Sequence, residues 1–387
     1  MHVAGARFPF FVPKCPATPP PACPGRKIRG YNLPDCEHTN HSVSGFWRNF
    51  SCVPCSLKRR AAKRADATIP ARPCGAAGLK GDKTMQIRTD LALEAHETAA
   101  RSGEPDGVEH EEFERGGVRV SRVRVLDERG VQAIGKPVGT YVTVETGSLS
   151  DVGGDGYYEA AELIGSEVAQ MLLPAGDGLV LVVGLGNAEM TPDALGPRCV
   201  ESVLVTRHIA GELTKIKGLE SLRPVAAIAP GVLGQTGMET GEIVRALVDR
   251  VSPVAVLVID ALASRRASRL GTTVQVADSG IAPGSGIGNA RFPLDRATLG
   301  VPVISIGVPT VVDAATLALD ILENAGIETP AQEEEKIRAS VEPSGVSMFV
   351  TPRMVDLIVE HAARLTGLAI NRALHPGVAR EELEKLV

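Results

Sequence analysis

The stretch "LVLVVGLG", Leu179–Gly186, runs without a break into "NAEMTPDALGP", Asn187–Pro197. Its eight residues are all apolar or Gly, the pattern of a strand covered on both faces in a parallel sheet. The chain then turns through a short polar segment that sets Asp193 between a Pro and Ala-Leu-Gly. An acid at the C-terminal rim of such a strand stands where open α/β sheets place their chemistry. It can equally cap the helix that follows.

Outward from this point the alternation repeats. "VAAIAPG" leads through "VLGQTGMETGEIVRALVDRV", and "VAVLVIDALASR" opens a long polar, Gly-rich segment. "VPVISIGVPTVVDAATLALDIL" supplies another strand and helix. The expected fold is α/β, a mostly parallel sheet flanked by helices. Upstream, "GVRVSRVRVLDE" alternates with one slip that predicts a bulge or an edge position, and the acidic stretch through Glu114 reads as helix or exposed loop. "GTYVTVETGSL" reads as a strand, and Ala161, Ile164, Val168 and Met171 fall at helical spacing. Near the C-terminus, Thr351 and Pro352 read as the start of a helix that stops at Gly367.

Of the 387 residues, 44% are hydrophobic and 3% aromatic. A sizeable core therefore has to be filled by aliphatic side chains. Charge is divided unevenly: residues 1–84 carry 14 Lys or Arg against 4 Asp or Glu, and residues 85–387 carry 27 against 42. An acidic body repels nucleic acid, so none is expected as a partner. Cysteine divides at the same place, with Cys15, Cys23, Cys36, Cys52, Cys55 and Cys74 in the first segment and Cys199 alone after it. That pattern suits a reducing compartment. "CVPC", Cys52–Cys55, has the spacing of half a zinc knuckle or of a redox pair, but no second pair completes a zinc site and no strand-to-helix context surrounds it for a redox pair. Prolines interrupt any signal-peptide run, and no apolar span of about twenty residues follows, so no membrane segment is expected. Residues 1–84 read as a disordered Pro/Cys-rich extension, or as sequence upstream of a true start at Met85.

The chemistry is narrowed by what the motifs lack. "VVGLGN" falls short of a dinucleotide fingerprint, and there is no phosphate loop. "DSGIAPGSGIGNAR", Asp278–Arg291, is either an anion nest or a tight loop at a site or subunit contact. No GxSxG elbow occurs, and Cys199 has no evident His beside it. His208, placed in the helix after Asp193, and His361, in the last helix, form no HExxH pair. Two rim acids remain. Asp260 ends the apolar run "VAVLVID". If it converges with Asp193, an ionised carboxylate can take a proton from water while a protonated partner polarises a carbonyl. Otherwise one acid is a helix cap and the other a turn acid.

Six pieces in order, "IRTDLALEA", "GLGNAEMTPDALGP", "VIDALASR", "DSGIAPGSGIGNAR", "GVPTVVDAATL" and "MFVTPRMVDLIVE", resemble the germination proteases of spore-forming bacteria, from about residue 87 to about residue 360. That resemblance implies a fold similar to hydrogenase-maturation proteases and an endopeptidase, made as a zymogen, that starts the degradation of small acid-soluble spore proteins in the cytoplasm of the spore core. It also implies a homotetramer, no cofactor, and essential aspartates at Asp193 and Asp260. Family substrates are cut after an acid that is followed by a hydrophobic residue, Ala, any residue and Glu. "DLALE", Asp90–Glu94, has that form, so the resemblance implies cleavage between Asp90 and Leu91, with residues 85–90 a propeptide remnant. Residues 91–387 are then the peptidase domain, with a less regular excursion near 328–345. The family's leader is short, and the long extension here departs from it. A metal-dependent hydrolase using the same rim acids and a non-catalytic spore-protein-binding scaffold are the competing readings.

Overall fold

The computed structural model describes residues 88–149, 155–209, 222–283, 292–327, 329–342 and 346–386. The expectations for residues 1–84, for 85–87 and for most of the Gly-rich stretch, 284–291, lie outside the described residues.

A helix, Ala92–Ala100, precedes strands β1 (Val108–Arg115) and β2 (Val118–Val125). Gly116 and Gly117, with φ of 60° and 78°, join these strands in a two-residue hairpin of the kind that needs two left-handed positions. The short helix Glu128–Ile134 leads to β3 (Gly139–Glu145), and the long helix Asp155–Leu172 follows. Then come β4 (Val180–Gly184), the helix Leu195–Glu201, β5 (Val225–Ile228), the helix Thr240–Val251, β6 (Ala255–Ser264) and β7 (Thr273–Ala277). The chain continues through β8 (Val303–Asp313), the helix Ala314–Asn324, a helix Ala331–Val341 within the stretch read as an excursion, β9 (Phe349–Val350), and the helices Val355–Leu374 and Arg380–Leu386.

The strands form one sheet in the order β1-β2-β3-β7-β8-β6-β4-β5, with β9 added beside β8. The expectation of a mostly parallel sheet is wrong. β5, β4, β6 and β8 pair in parallel, whereas β1, β2, β3, β7 and β8 pair antiparallel in succession. The reason is connection length. Only residues 265–272 separate β6 from β7, too few to carry the chain back across the sheet, so β7 returns in the opposite direction. "TVQVA" was hidden because Thr273 and Gln275 break its apolar run.

The slip in β2 is not a bulge, for its register is unbroken against both neighbours. Val118 and Val120 belong to the main core, while Val123 and Val125 pack in a separate cluster with Leu93 and Tyr141. The strand thus changes its buried face halfway along, because different helices cover its two ends. β1, read as helix or loop, is an outer strand with no fully buried residue.

The main core fills one face of the sheet under the helices Asp155–Leu172 and Val355–Leu374, and a second cluster fills the other face under Thr240–Val251. Each fully buried aliphatic side chain, such as Ile164, Leu257 or Ile370, contributes about 1.5–3 kcal/mol. The last helix runs through Gly367 instead of stopping there. That glycine lies against Ser202, where a Cβ would meet the Ser202 side chain. Asn371, one turn on, accepts from the Leu204 N–H at 2.9 Å and donates to the Ser202 carbonyl at 2.9 Å. Thr351, read as the helix cap, instead donates its hydroxyl to the Thr310 carbonyl at 2.9 Å.

His375 follows this helix at 1% exposure, and burial pushes its imidazole down to about 4. Its neutral form is favoured in the fold, so unfolding takes up a proton anywhere between pH 6.5 and about 4. Stability is complete above the unfolded value and is lost as pH falls through that window, by at most about 3 kcal/mol. Urea unfolding between pH 7 and pH 4.5 should show a slope that flattens in His375→Gln. An equal slope in both proteins would remove His375 as its source.

Candidate active site

The segment "GLGNAEMTPDALGP" folds tightly back on itself. Gly186 has φ +112°, and a Cβ there would overlap the Asp193 carbonyl oxygen; one on Gly184 would overlap the backbone of Gly196. These glycines let the loop close over the end of β4. Asp193 ends the single turn Thr191–Asp193, and its Oδ2 accepts from the Asn187 N–H at 2.8 Å. The turn is pinned to the sheet because the Thr310 hydroxyl donates to the Pro192 carbonyl at 2.7 Å. His208 lies in a turn beyond the helix Leu195–Glu201, not within that helix. His361 faces the Leu149 carbonyl through Nδ1 at 2.7 Å. Cys199 is buried, and burial raises its thiol, which leaves it a poor nucleophile.

Asp260 stands on β6 at 8% exposure, with Oδ1 2.9 Å from the Ala261 N–H. Its strand partner on β8 is Gly307, and Gly307 in turn pairs with Gln275 on β7. Asp260, Gly307 and Gln275 therefore form one row across three strands and share one face of the sheet. The Leu262 side chain packs against this glycine, where a Cβ would overlap it. All three line a cavity of about 830 Å³, together with Thr89, Asp90, Lys136, Tyr141, Ser279 and Ser305. Asp193 is not among the residues lining that cavity; its turn, beyond the end of β4, is held against β8 by Thr310.

Part of the cavity wall is the chain's own leader, Arg88, Thr89 and Asp90. Arg88 reaches the Ser347 hydroxyl at 2.9 Å and the Asp313 carboxylate at 3.3 Å. Lys136 donates to the Thr89 carbonyl at 2.9 Å. Asp90 donates its N–H to the Ala263 carbonyl at 2.8 Å, and its Oδ2 accepts from the Ala263 N–H at 2.8 Å. Leu91 is fully buried. Glu94, also fully buried, accepts from the N–H groups of Arg265 and Arg266 at 2.6 and 3.0 Å and from the Thr89 hydroxyl at 2.5 Å. Burial pushes the Glu94 carboxyl up, and these donors oppose that shift. The ammonium of Lys136 is held below its usual range by burial.

Two of these groups, Lys136 and Gln275, carry no local motif and were not found from the sequence. Only the strand register and the docked leader bring them together with Asp90 and Asp260. Among the described residues, no group of three His, Cys, Asp or Glu side chains is arranged to hold a metal ion.

A cleft that grips an extended stretch of polypeptide through main-chain hydrogen bonds, with a carboxylate in its floor, marks a protein that handles peptide backbone. The chain belongs to the germination protease family: the model of that family, "Germination protease", matches residues 86–325. The germination protease of Caldanaerobacter subterraneus subsp. tengcongensis is 43% identical over 321 residues, covering 78% of this chain and 98% of the relative. Those of Clostridium tetani and Bacillus pumilus are 40% and 36% identical, each across 77% of this chain and 98% and 96% of theirs. The activity is therefore that of a peptide-bond hydrolase. The expected similarity to hydrogenase-maturation proteases is not carried by the fold. The hydrogenase maturation protease HycI from Thermococcus kodakarensis matches at a TM-score of 0.29 and 15% identity, over 53% of this chain and 98% of its own. At that level it carries no argument.

Among the described residues no helix is long and apolar enough to cross a membrane.

Proposed function

We propose that the chain is an endopeptidase of spore germination that degrades small acid-soluble spore proteins in the spore core, and that it matures by a cut between Asp90 and Leu91. The observation that carries this reading is the leader docked through Thr89, Asp90 and Ala92 in the cavity lined by Asp260. A segment held in this way excludes other peptides until it leaves.

In this reading the Asp193 and Asp260 carboxylates divide the acid and base work. One takes a proton from water, and the other, protonated, hydrogen-bonds the carbonyl under attack. The pairing is supported by the hold of Thr310, on β8, on the turn that carries Asp193, with Asp260 on the neighbouring β6. Assembly as a homotetramer is part of the same proposal and is read by sedimentation of the purified chain.

Intact-mass analysis and N-terminal sequencing during maturation test the cut. The wild-type chain should acquire Leu91 as its N-terminus and gain activity on an added spore protein. Asp90→Ala should slow that cut at least about tenfold, because it removes the carboxylate held by the Ala263 N–H. A fully active wild-type chain still joined at Asp90–Leu91 would overturn the zymogen reading.

A further inference from the structure

Gln275 holds the docked leader in a way that bears on the reaction itself. Its Oε1 accepts from the Ala92 N–H at 2.8 Å, and its Nε2 donates to the Asp90 carbonyl oxygen at 3.3 Å. The orientation of the amide is forced: Ala92 N–H can only donate, so the oxygen must face it and the NH₂ group must face Asp90. Gln275 is 7% exposed, so both bonds lie away from bulk water, where a fixed dipole acts strongly. The Asp90 carbonyl belongs to the peptide bond joining Asp90 to Leu91. Gln275 also shares its face and its row with Asp260, across the side-chain-free Gly307.

We propose that Gln275 is a catalytic residue, a second hydrogen-bond donor beside the protonated Asp to the carbonyl oxygen of the bond being cut, both in maturation and on protein substrates. This rests on the cut assigned above. A water oxygen bonds to the Asp90 carbonyl carbon while an Asp carboxylate takes one water proton. The carbonyl π pair moves onto oxygen, where the Nε2–H strengthens its bond to the developing negative charge. On collapse the C=O reforms and the C–N bond breaks. The Leu91 nitrogen leaves with the proton returned by the carboxyl, so one water is consumed for one carboxyl and one amine. The simpler role of Gln275 as a backbone clamp predicts weaker substrate binding. The donor role predicts slower turnover.

Gln275→Glu separates the two, because the introduced carboxylate still accepts from Ala92 N–H but has no proton for the carbonyl. Gln275→Met, similar in length, removes both bonds. For each variant, the rate of the Asp90–Leu91 cut in the full chain is measured by intact mass. Kinetics on an added spore protein are measured on chains opened by a sequence-specific protease site placed before Leu91. Both substitutions should lower the cut and kcat by about 10²–10³-fold, with KM for Gln275→Glu changed less than about threefold. The introduced carboxyl regains a donor when protonated, so the rate of Gln275→Glu relative to wild type should rise as pH falls, and that of Gln275→Met should not. Thermal melting sets aside any variant that fails to fold, and the other then decides. A wild-type cut at Asp90–Leu91 that persists at full rate in a folded Gln275 variant, or a loss confined to KM, overturns the donor role alone. A wild-type cut elsewhere overturns the reading beneath it.

Discussion

Asp193→Asn and Asp260→Asn are each expected to reduce cleavage of a small acid-soluble spore protein by at least about 10²-fold while leaving the fold intact. The exchange removes an ionisable group at nearly constant volume. At Asp193 the replacement's amide oxygen can still accept from Asn187 N–H, the bond that closes the rim loop. At Asp260 the β6 backbone keeps its pairing with β4 and β8. The comparison is made on chains opened by an added protease site before Leu91, with circular dichroism and sedimentation alongside. A folded variant that cleaves at near-wild-type rate removes that residue from the chemistry.

The second large effect is expected at Gly186→Ala. An added Cβ meets the Asp193 carbonyl oxygen, and the backbone there has a φ of +112° that side-chain-bearing residues rarely adopt. Either the loop moves and Asp193 with it, or the fold absorbs strain of roughly 2–4 kcal/mol. Activity should fall at least about tenfold in the first case. In the second the melting temperature should drop by several degrees. A variant unchanged in both activity and melting would show that the loop does not hold Asp193 through this contact.

The strands around "LVLVVGLG" were legible because parallel, doubly covered strands are largely apolar, and β4, β6 and β8 are buried along nearly their whole length. The same runs drew attention to Asp193 and Asp260; Asp193 stands in the turn beyond β4, whereas β6 continues four residues past Asp260. What escaped is the antiparallel direction of β2 and β3, and the strands β1 and β7 altogether. β1 is polar and exposed along its length, and β7 is interrupted by Thr273 and Gln275. Pattern reading lost β7, and with it Gln275. A residue that binds backbone through a side-chain amide leaves no periodic signal. Gly367 misled in the opposite direction: read as a helix stop, it is an interior residue kept small by Ser202. Glu94 was legible as part of "DLALE", yet its hold on the Arg265 and Arg266 backbone depends on 171 and 172 positions of sequence separation that no local pattern spans.

The complete burial of Leu91 has a thermodynamic consequence for a chain that cuts there. Hydrolysis would turn one neutral amide into a carboxylate on the half-buried Asp90 and an ammonium on the fully buried Leu91. The ammonium would stand at the entrance of the helix Ala92–Ala100, where the first backbone N–H groups already carry positive partial charge. An uncompensated charge so placed costs several kcal/mol. The cut ends would therefore be driven apart toward solvent, and two separated, hydrated ends do not rejoin. Packing that shelters the intact bond would make its breakage a one-way step, with no separate latch needed to hold the opened form.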